Sequence, residues 1–216
     1  MGTYNGIQLL ITTKCNLHCP YCSAGVHLNQ PEEFMSVDEI KNLSVYFQGL
    51  ENMYVSGGEP TLHPDFDYIS EHIREWYNPL TLYVWTNSYV PIEKIPSFRF
   101  YDHVNISKYV ATTYPGARDN QDRIDIIYNE FSRLGLSTSI LSVGEVFHMG
   151  LDNNKGSTPC ARKDYDLYPV MTGGRVYPCC VSPGIPTSPY IIANPNWLEQ
   201  VKALELKCGE CMFGGN

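Results

Sequence analysis

The stretch GIQLLITTKCNLHCPYCSAG, residues 6–25, joins an apolar segment to three closely spaced cysteines. Its first part, residues 6–14, is an apolar run that contains Ile and Thr and is bounded by glycine and polar residues, which is typical of a buried β-strand. Cys15, Cys19 and Cys22 follow at C-x3-C-x2-C spacing. In a cytosolic protein, such a group indicates metal or cluster ligands rather than disulfides. The stretch therefore predicts a metal-binding loop directly after the first strand.

Strands and helices alternate after this loop. We predict further strands at 51–60, 80–87, 103–107 and 136–143, and helices at 36–47, 64–77 and 121–135. Ser36 and Glu39 fit the S-x-x-E capping box, and Gly135 fits a helix stop. Alternation of this kind is typical of parallel βαβ units. The pattern indicates an α/β fold, either a barrel or an open doubly wound sheet.

The pattern changes near residue 150. Residues 150–159 have a loop-like composition, and 166–180 are typical of a hairpin with Gly173-Gly174 as a two-residue turn. A short amphipathic helix is predicted at 196–206. We therefore expect two domains, 1–149 and 150–216.

The composition limits what the protein binds and where it works. A chain of 216 residues with 43% hydrophobic residues is long and apolar enough for a packed core. Its formal net charge of −8 argues against the nucleic-acid backbone as a partner. No apolar run reaches the about 18 residues of a membrane span, and no signal peptide is recognisable. We expect a cytoplasmic protein without a membrane partner.

Three cysteines in one loop suit an iron–sulfur cluster with one iron left open, since such clusters are normally held by four thiolates. Zinc is the alternative, with His18 or His27 as the fourth ligand. The C-x3-C-x-aromatic-C pattern, with Tyr21 at the aromatic position, resembles the signature of the radical S-adenosylmethionine (SAM) superfamily. SGGEP at 56–60 resembles the GGE motif of that family. The resemblance implies a partial (β/α) TIM-like barrel of about five to six βα units.

The resemblance also implies the cofactors and their sites. Cys15, Cys19 and Cys22 match the ligands of a 4Fe–4S cluster that binds SAM at its open iron. The expected SAM-contacting residues are Tyr21, Gly57, Gly58 and Glu59 near the cluster, with Asn87 and Ser107 at the ribose and adenine. The backbone of Gly57-Gly58 is expected to meet the SAM amino group, because glycine lets a ligand approach closely.

The later cysteines resemble a twitch domain, which is a shortened SPASM extension of some radical SAM enzymes. Cys160, Cys179, Cys208 and Cys211 are then the ligands of a second, auxiliary 4Fe–4S cluster in a small hairpin-plus-helix extension. Adjacent side chains of a strand face opposite ways, so only one of Cys179 and Cys180 can be a ligand. The G-x4-C spacing that ends at Cys179 favours Cys179, which leaves Cys180 as the spare thiol. A zinc site built from the same thiols is the alternative.

In this family SAM is cleaved to a 5′-deoxyadenosyl radical, which removes hydrogen from a substrate. We expect an oxidoreductase that carries out a two-electron oxidation or an oxidative bond formation on a small molecule or peptide through the auxiliary cluster, with flavodoxin or ferredoxin as electron donor. The first alternative is a redox-neutral epimerisation or rearrangement of a sugar, nucleoside or modified base. The second is a non-enzymatic zinc or iron–sulfur protein. Glu145, His148 and Tyr109 are the candidates for substrate contact.

Overall fold

The structure is a computed structural model, and it describes residues 6–19, 22, 32–109, 120–142, 158–159, 167–177, 190–191, 194, 196, 199–200 and 207–208. The strands are β1 (Gly6–Thr12), β2 (Asn52–Gly57), β3 (Thr81–Thr86), β4 (His103–Lys108), β5 (Ser137–Ser142), β6 (Thr158–Pro159), β7 (Leu167–Met171), β8 (Arg175–Val176), β9 (Tyr190–Ile191) and β10 (Lys207–Cys208). The helices are α1 (Val37–Leu43), α2 (Phe66–Tyr77) and α3 (Gln121–Arg133).

One sheet organises the described part of the chain. Its strands lie in the order β5-β4-β3-β2-β1-β7-β8-β9. All neighbours from β5 to β7 are parallel, and β8 and β9 continue the sheet antiparallel. The predicted α/β fold with a partial TIM-like barrel is confirmed. Because the strands β1 to β4 are parallel neighbours, their carboxyl ends meet at one edge, where such folds place their sites.

The two faces of the sheet differ in chemistry. Alternate residues of β1 to β4, among them Leu9, Val55 and Val84, are fully buried against the apolar sides of the helices. The other face carries polar and aromatic residues, which include Gln8, Tyr54, Ser56, Tyr83, Trp85, His103 and Asn105. A parallel sheet normally has both faces covered by apolar packing. A polar and aromatic second face is therefore suited to binding a ligand.

Most predicted elements agree with the structure to within a few residues. Ser36 Oγ accepts a hydrogen bond from Glu39 N at 3.1 Å, as the capping box predicts. The helix predicted at 36–47 is shorter, because α1 ends at Leu43 and a 3-10 turn, Ser44–Tyr46, follows it. A 3-10 segment at Ile92–Phe100 was not predicted. Pro96 lies inside this segment, and it lacks the backbone N–H that a longer α-helix needs.

The predicted turn of the hairpin was wrong in length. Met171 pairs with Arg175, which leaves Thr172, Gly173 and Gly174 between the strands. These three residues form a three-residue loop rather than a two-residue turn, and both glycines in it have positive φ, at 75° and 62°.

The hairpin is connected to the first half of the chain. Strand β7 pairs with β1, Arg175 forms an ion pair with Glu33, and Gly173 N donates to Glu39 Oε1. Residues 143–157 lie outside the described residues, so a domain boundary near residue 150 stays a prediction. Of the predicted helix 196–206, Asn196, Glu199 and Gln200 are described: Asn196 lies in a turn, and Glu199 and Gln200 are helical. Over the described ranges, no helix combines the length and apolarity that a membrane span requires.

Candidate cluster and cofactor site

The cysteine loop begins where β1 ends, and residues 33–35, which precede α1, are hydrogen-bonded to the end of that strand. Thr12 Oγ1 donates to Glu33 O at 2.9 Å, and Glu33 N donates to Thr13 Oγ1 at 2.8 Å. Met35 N donates to Ile11 O at 2.9 Å, which continues the contact into the strand. The two threonines of the TTK sequence therefore fix the point from which the loop leaves the sheet.

The SGGEP turn at the end of β2 is bonded to the start of the same loop. Gly58 N donates to Thr12 O and Glu59 N donates to Lys14 O, both at 2.8 Å. A Cβ atom on Gly57 would overlap Thr12 O, and one on Gly58 would overlap Lys14 O. The missing side chains thus allow the turn to approach the chain's own backbone. The expectation that these glycines also admit a ligand stays a prediction.

The three thiols of the loop lie together beside the hairpin. Cys15, Cys19 and Cys22 are partly exposed thiols rather than disulfides. Cys15 and Cys22 pack against a small buried cluster formed by Leu10, Met171 and Tyr177. Cys22 N donates to Cys19 O at 3.0 Å, which tightens the second half of the loop. The loop therefore presents three reduced thiols at the carboxyl edge of the sheet.

Two N–H groups approach the sulfur of Cys15. Leu17 N donates to it at 3.4 Å, and Asn87 Nδ2 lies 3.6 Å from it. The pKa of the Cys15 thiol is raised to about 12, mainly by burial and in smaller part by the nearby Glu59, Cys22 and Cys19, whereas the hydrogen bond from Leu17 N opposes this rise. The thiol is therefore protonated when nothing is bound, and a metal must displace that proton.

Glu59 connects the ends of β2 and β3. Its side chain is fully buried, with a relative exposure of 0%. Asn87 N donates to Oε2 at 2.8 Å, and Thr61 Oγ1 donates to Oε1 at 2.7 Å. Thr86 Oγ1 lies 3.1 Å from both carboxylate oxygens, and Thr61 N lies 3.3 Å from Oε1. Burial raises the pKa of Glu59, and the hydrogen bond from Asn87 N is the main opposing effect.

These contacts give Glu59 a positioning role. Its described hydrogen bonds all go to protein groups, so the carboxylate holds the SGGEP turn against the end of β3. A direct contact between Glu59 and SAM stays a prediction.

Asn120, which the sequence reading missed, connects the ends of β3 and β4. Its Nδ2 donates to Ser107 O at 2.8 Å and to Ser88 Oγ at 2.9 Å, and its Oδ1 accepts from Tyr109 N at 2.8 Å. The residue is 1% exposed. It directly precedes α3, and an Asn at that position is usually read as a helix cap. Its side chain makes no capping bond and holds the loop ends instead.

Tyr109 lies at the cysteine loop, as its surroundings show. Burial raises the pKa of its phenol well above the usual value, and the proximity of Cys19 raises it further. The hydrogen bond with the side chain of Ser107 acts in the opposite direction. The structure therefore brings Tyr109 and Ser107 together beside the predicted cluster ligands.

His63 follows the SGGEP turn, and its contacts are structural. Its Nε2 lies 2.8 Å from Met35 O, which can only accept, so Nε2 carries the proton. Asp65 N donates to Nδ1 at 3.0 Å. Burial lowers the pKa of His63, so the ring is held neutral. The side chain thus fastens the turn after β2 to the segment before α1.

Several predicted site residues lie outside the described residues. They are Tyr21, Glu145, His148, Cys160, Cys179, Cys180 and Cys211. Of Cys208, the backbone alone is described. It lies in β10, which pairs antiparallel with β6 so that Cys208 is opposite Thr158. Cys160 follows two residues after Thr158 in the sequence.

The cysteine loop offers thiols, and thiolates are the donors that hold iron–sulfur clusters. In a cluster each thiolate binds a different iron. Three thiols on one loop, with backbone and side-chain N–H donors at Cys15, therefore fit an iron–sulfur cluster.

A comparison with known protein families agrees with this fold and with this site. The profile described as the radical SAM superfamily matches residues 9–129, which is more than half of the chain. The chain therefore belongs to the radical SAM superfamily. Membership implies a 4Fe–4S cluster and SAM as cofactors.

Curated relatives match less than half of the chain. A protein named GTP 3',8-cyclase from Edwardsiella ictaluri is 35% identical over 102 residues, which cover 45% of this chain and 31% of that protein. The protein of the same name from Pectobacterium atrosepticum is 43% identical over 90 residues, covering 38% of this chain and 27% of that protein. The match thus spans less than a third of the length of either relative.

Solved structures resemble the chain over most of its length. The structure of BtrN in complex with AdoMet and 2-DOIA has a TM-score of 0.67 at 15% identity, covering 94% of this chain and 84% of BtrN. Streptococcus suis SuiB bound to the precursor peptide SuiA has a TM-score of 0.54 at 11% identity, covering 97% of this chain and 70% of SuiB. At these identities the likeness shows the fold alone.

Proposed function

We propose that Cys15, Cys19 and Cys22 hold the SAM-binding cluster and that SAM lies beside the SGGEP turn. The observation that carries this assignment is the direct bonding of the two motifs, through Gly58 N to Thr12 O and Glu59 N to Lys14 O. When bound, the cluster and SAM supply a 5′-deoxyadenosyl radical that removes a hydrogen atom from the substrate. The protein binds, orients and shields these groups.

In this arrangement the backbone carbonyl groups of the SGGEP turn accept hydrogen bonds from the amino group of SAM. The N–H groups of Gly58 and Glu59 already donate within the protein, so carbonyl oxygens are the groups of this turn best suited to a ligand. The amino group of SAM is a hydrogen-bond donor and needs acceptors of this kind. The three thiolates occupy three irons and leave the fourth for SAM.

The reaction class that the relatives favour is a redox-neutral radical rearrangement. The matched relatives are named for cyclisation of GTP, although the matched part covers less than a third of each. The polar face of the sheet supports a small, polar, ring-bearing substrate such as a nucleoside or sugar. On that face Gln8 Nε2 donates to Ser56 Oγ at 2.8 Å, and the rings of Tyr54 and Tyr83 stack with centroids 4.6 Å apart.

Net oxidation through an auxiliary twitch cluster is the second candidate. It is favoured by the pairing of β6 with β10, which places the backbone of Cys208 opposite Thr158, shortly before Cys160 in sequence. With Cys179 and Cys211 these cysteines would hold all irons of a second cluster. Such a cluster has no open iron, so its remaining use is electron transfer. In either reaction a flavodoxin or ferredoxin is the proposed electron donor.

The ligand assignment is tested by a Cys15/Cys19/Cys22→Ala triple variant. After anaerobic reconstitution it should make no 5′-deoxyadenosine. If the auxiliary cluster exists, it should keep about half of the wild-type iron, because two four-iron sites become one. Cys180→Ala, which changes a thiol assigned to neither cluster, is the matched control and should behave like wild type. Production of 5′-deoxyadenosine by the triple variant would contradict the assignment.

The reaction class is tested by the product and by the Cys208→Ala/Cys211→Ala variant. A rearrangement gives a product with the same electron count as the substrate, whereas oxidation gives one poorer by two electrons. If the auxiliary cluster accepts electrons, the double variant should still cleave SAM but form little oxidised product. Full product formation by that variant would leave the redox-neutral reaction as the remaining candidate. SAM cleavage is the internal control for a folded barrel.

A further inference from the structure

The amide of Asn87 lies against the sulfur of a predicted cluster ligand. Its Nδ2 is 3.6 Å from Cys15 Sγ and donates to Asn16 Oδ1 at 2.8 Å. Together with Leu17 N at 3.4 Å, two N–H groups approach the Cys15 sulfur. Asn87 directly follows β3 and lies 72 residues away in sequence, so this contact depends on the fold rather than on the loop itself.

The orientation of the amide is set by its other end. Tyr89 N donates to Asn87 Oδ1 at 2.9 Å, so the carbonyl faces Tyr89 and the amino group faces Cys15. The backbone of Asn87 is also fixed, because its N–H donates to Glu59 Oε2 at 2.8 Å. The residue is 5% exposed. Both hydrogens of Nδ2 therefore point to protein acceptors, Asn16 Oδ1 and Cys15 Sγ.

A hydrogen bond of this kind acts on the reduction potential of a cluster. Reduction adds negative charge, part of which resides on the ligand sulfurs, so a donor at a sulfur stabilises the reduced state more than the oxidised state. Hydrogen bonds to the sulfurs are among the factors that set the potential of an iron–sulfur cluster. Removing such a donor is expected to make the cluster harder to reduce.

We propose that Asn87 raises the reduction potential of the cluster at Cys15, Cys19 and Cys22 through its Nδ2 contact with Cys15 Sγ. This role rests on the proposed assignment of Cys15 as a cluster ligand. It differs from the predicted contact between Asn87 and the SAM ribose, because the amide groups of Asn87 are already used within the protein. Asn87 is then a residue that sets how readily the electron donor can reduce the cluster.

The test is a redox titration of the reconstituted holoenzyme, followed by electron paramagnetic resonance. The signal that changes on adding SAM identifies the relevant cluster. Asn87→Leu keeps the approximate size and removes the donor without adding charge. Asn87→Asp keeps the Oδ1 acceptor for Tyr89 N and also removes the donor. Both variants should keep the wild-type iron content and shift the midpoint potential to a more negative value. Asn42→Leu, an exposed position on α1, is the matched control and should cause no shift.

The possible outcomes separate this proposal from the proposed function. A wild-type potential in an iron-loaded Asn87→Leu or Asn87→Asp variant would overturn the role of Asn87 and leave the cluster assignment intact. Loss of iron from both variants would also overturn it, since Asn87 would then be needed to assemble the loop. If the wild-type protein gave no SAM-responsive signal, the assignment of the cluster itself would fail.

Discussion

Replacing Glu59 by Gln tests whether this carboxylate holds the ends of β2 and β3 together. Four donors face the two carboxylate oxygens: Thr61 N, Thr61 Oγ1, Thr86 Oγ1 and Asn87 N. Gln offers one acceptor oxygen and one amino group in nearly the same volume. If its oxygen serves Thr61, its amino group faces Asn87 N at the 2.8 Å position that Oε2 holds in the wild type. Two donors would then oppose each other in a fully buried place.

The magnitude follows from the Asn87 N–H that is left without an acceptor. An unsatisfied buried N–H costs about 1–3 kcal/mol, whereas loss of a buried charge recovers part of that cost. We expect Glu59→Gln to lower the free energy of unfolding by about 2 kcal/mol. For a chain of this size, that change lowers the melting temperature by about 4–8 °C.

The assay is thermal unfolding of the anaerobically prepared protein, with urea unfolding as a second measure. The urea midpoint should fall with little change in slope, because the surface exposed on unfolding stays the same. Glu71→Gln, an exposed position on α2, is the matched control and should change stability by at most about 0.5 kcal/mol. A Glu59→Gln variant as stable as the control would refute the positioning role of Glu59.

Three further substitutions test other parts of the site. Gly58→Ala should destabilise the protein by about 1–3 kcal/mol, because the added Cβ would overlap Lys14 O; an unchanged melting temperature would contradict this close approach. Asn120→Ala should lower the free energy of unfolding by about 1–3 kcal/mol, since it leaves the partly buried Tyr109 N–H and Ser107 O without the amide that bonds them, whereas Asn129→Ala at an exposed position should be near neutral. Cys179→Ala should lose the auxiliary cluster and Cys180→Ala should keep it, as measured by iron content; the reverse result would show that the hairpin register is shifted by one residue.

The sequence allowed the fold to be predicted because its signals are local. The apolar run before Cys15 marks β1, and the Ser36–Glu39 capping box marks the start of α1. The alternation of strands and helices then indicates parallel strands, whose carboxyl ends meet at one edge. Placing the cysteine loop beside the SGGEP turn follows from that alternation alone.

The hydrogen bonds that support the site could not be predicted, because they join residues distant in sequence. Glu59 accepts from Asn87 N across 28 positions, and Asn120 donates to Ser88 Oγ across 32. Asn120 has the sequence position of a helix cap, and nothing in the sequence signals that its amide connects the ends of β3 and β4 instead. The three-residue loop Thr172–Gly174 was not predicted for a related reason. A Gly pair permits a loop of two or of three residues, and the register between β7 and β8 decides which of them forms.

Cys15, Cys19 and Cys22 are proposed to hold a cluster with one open iron, at which SAM binds. The most direct measurement is the electron paramagnetic resonance spectrum of the reduced, reconstituted protein before and after addition of SAM. If Cys15, Cys19 and Cys22 leave one iron open, SAM should change the signal of their cluster. A Cys19→Ala variant should show no such response. A wild-type spectrum that SAM leaves unchanged, or a response that persists in Cys19→Ala, would contradict the claim.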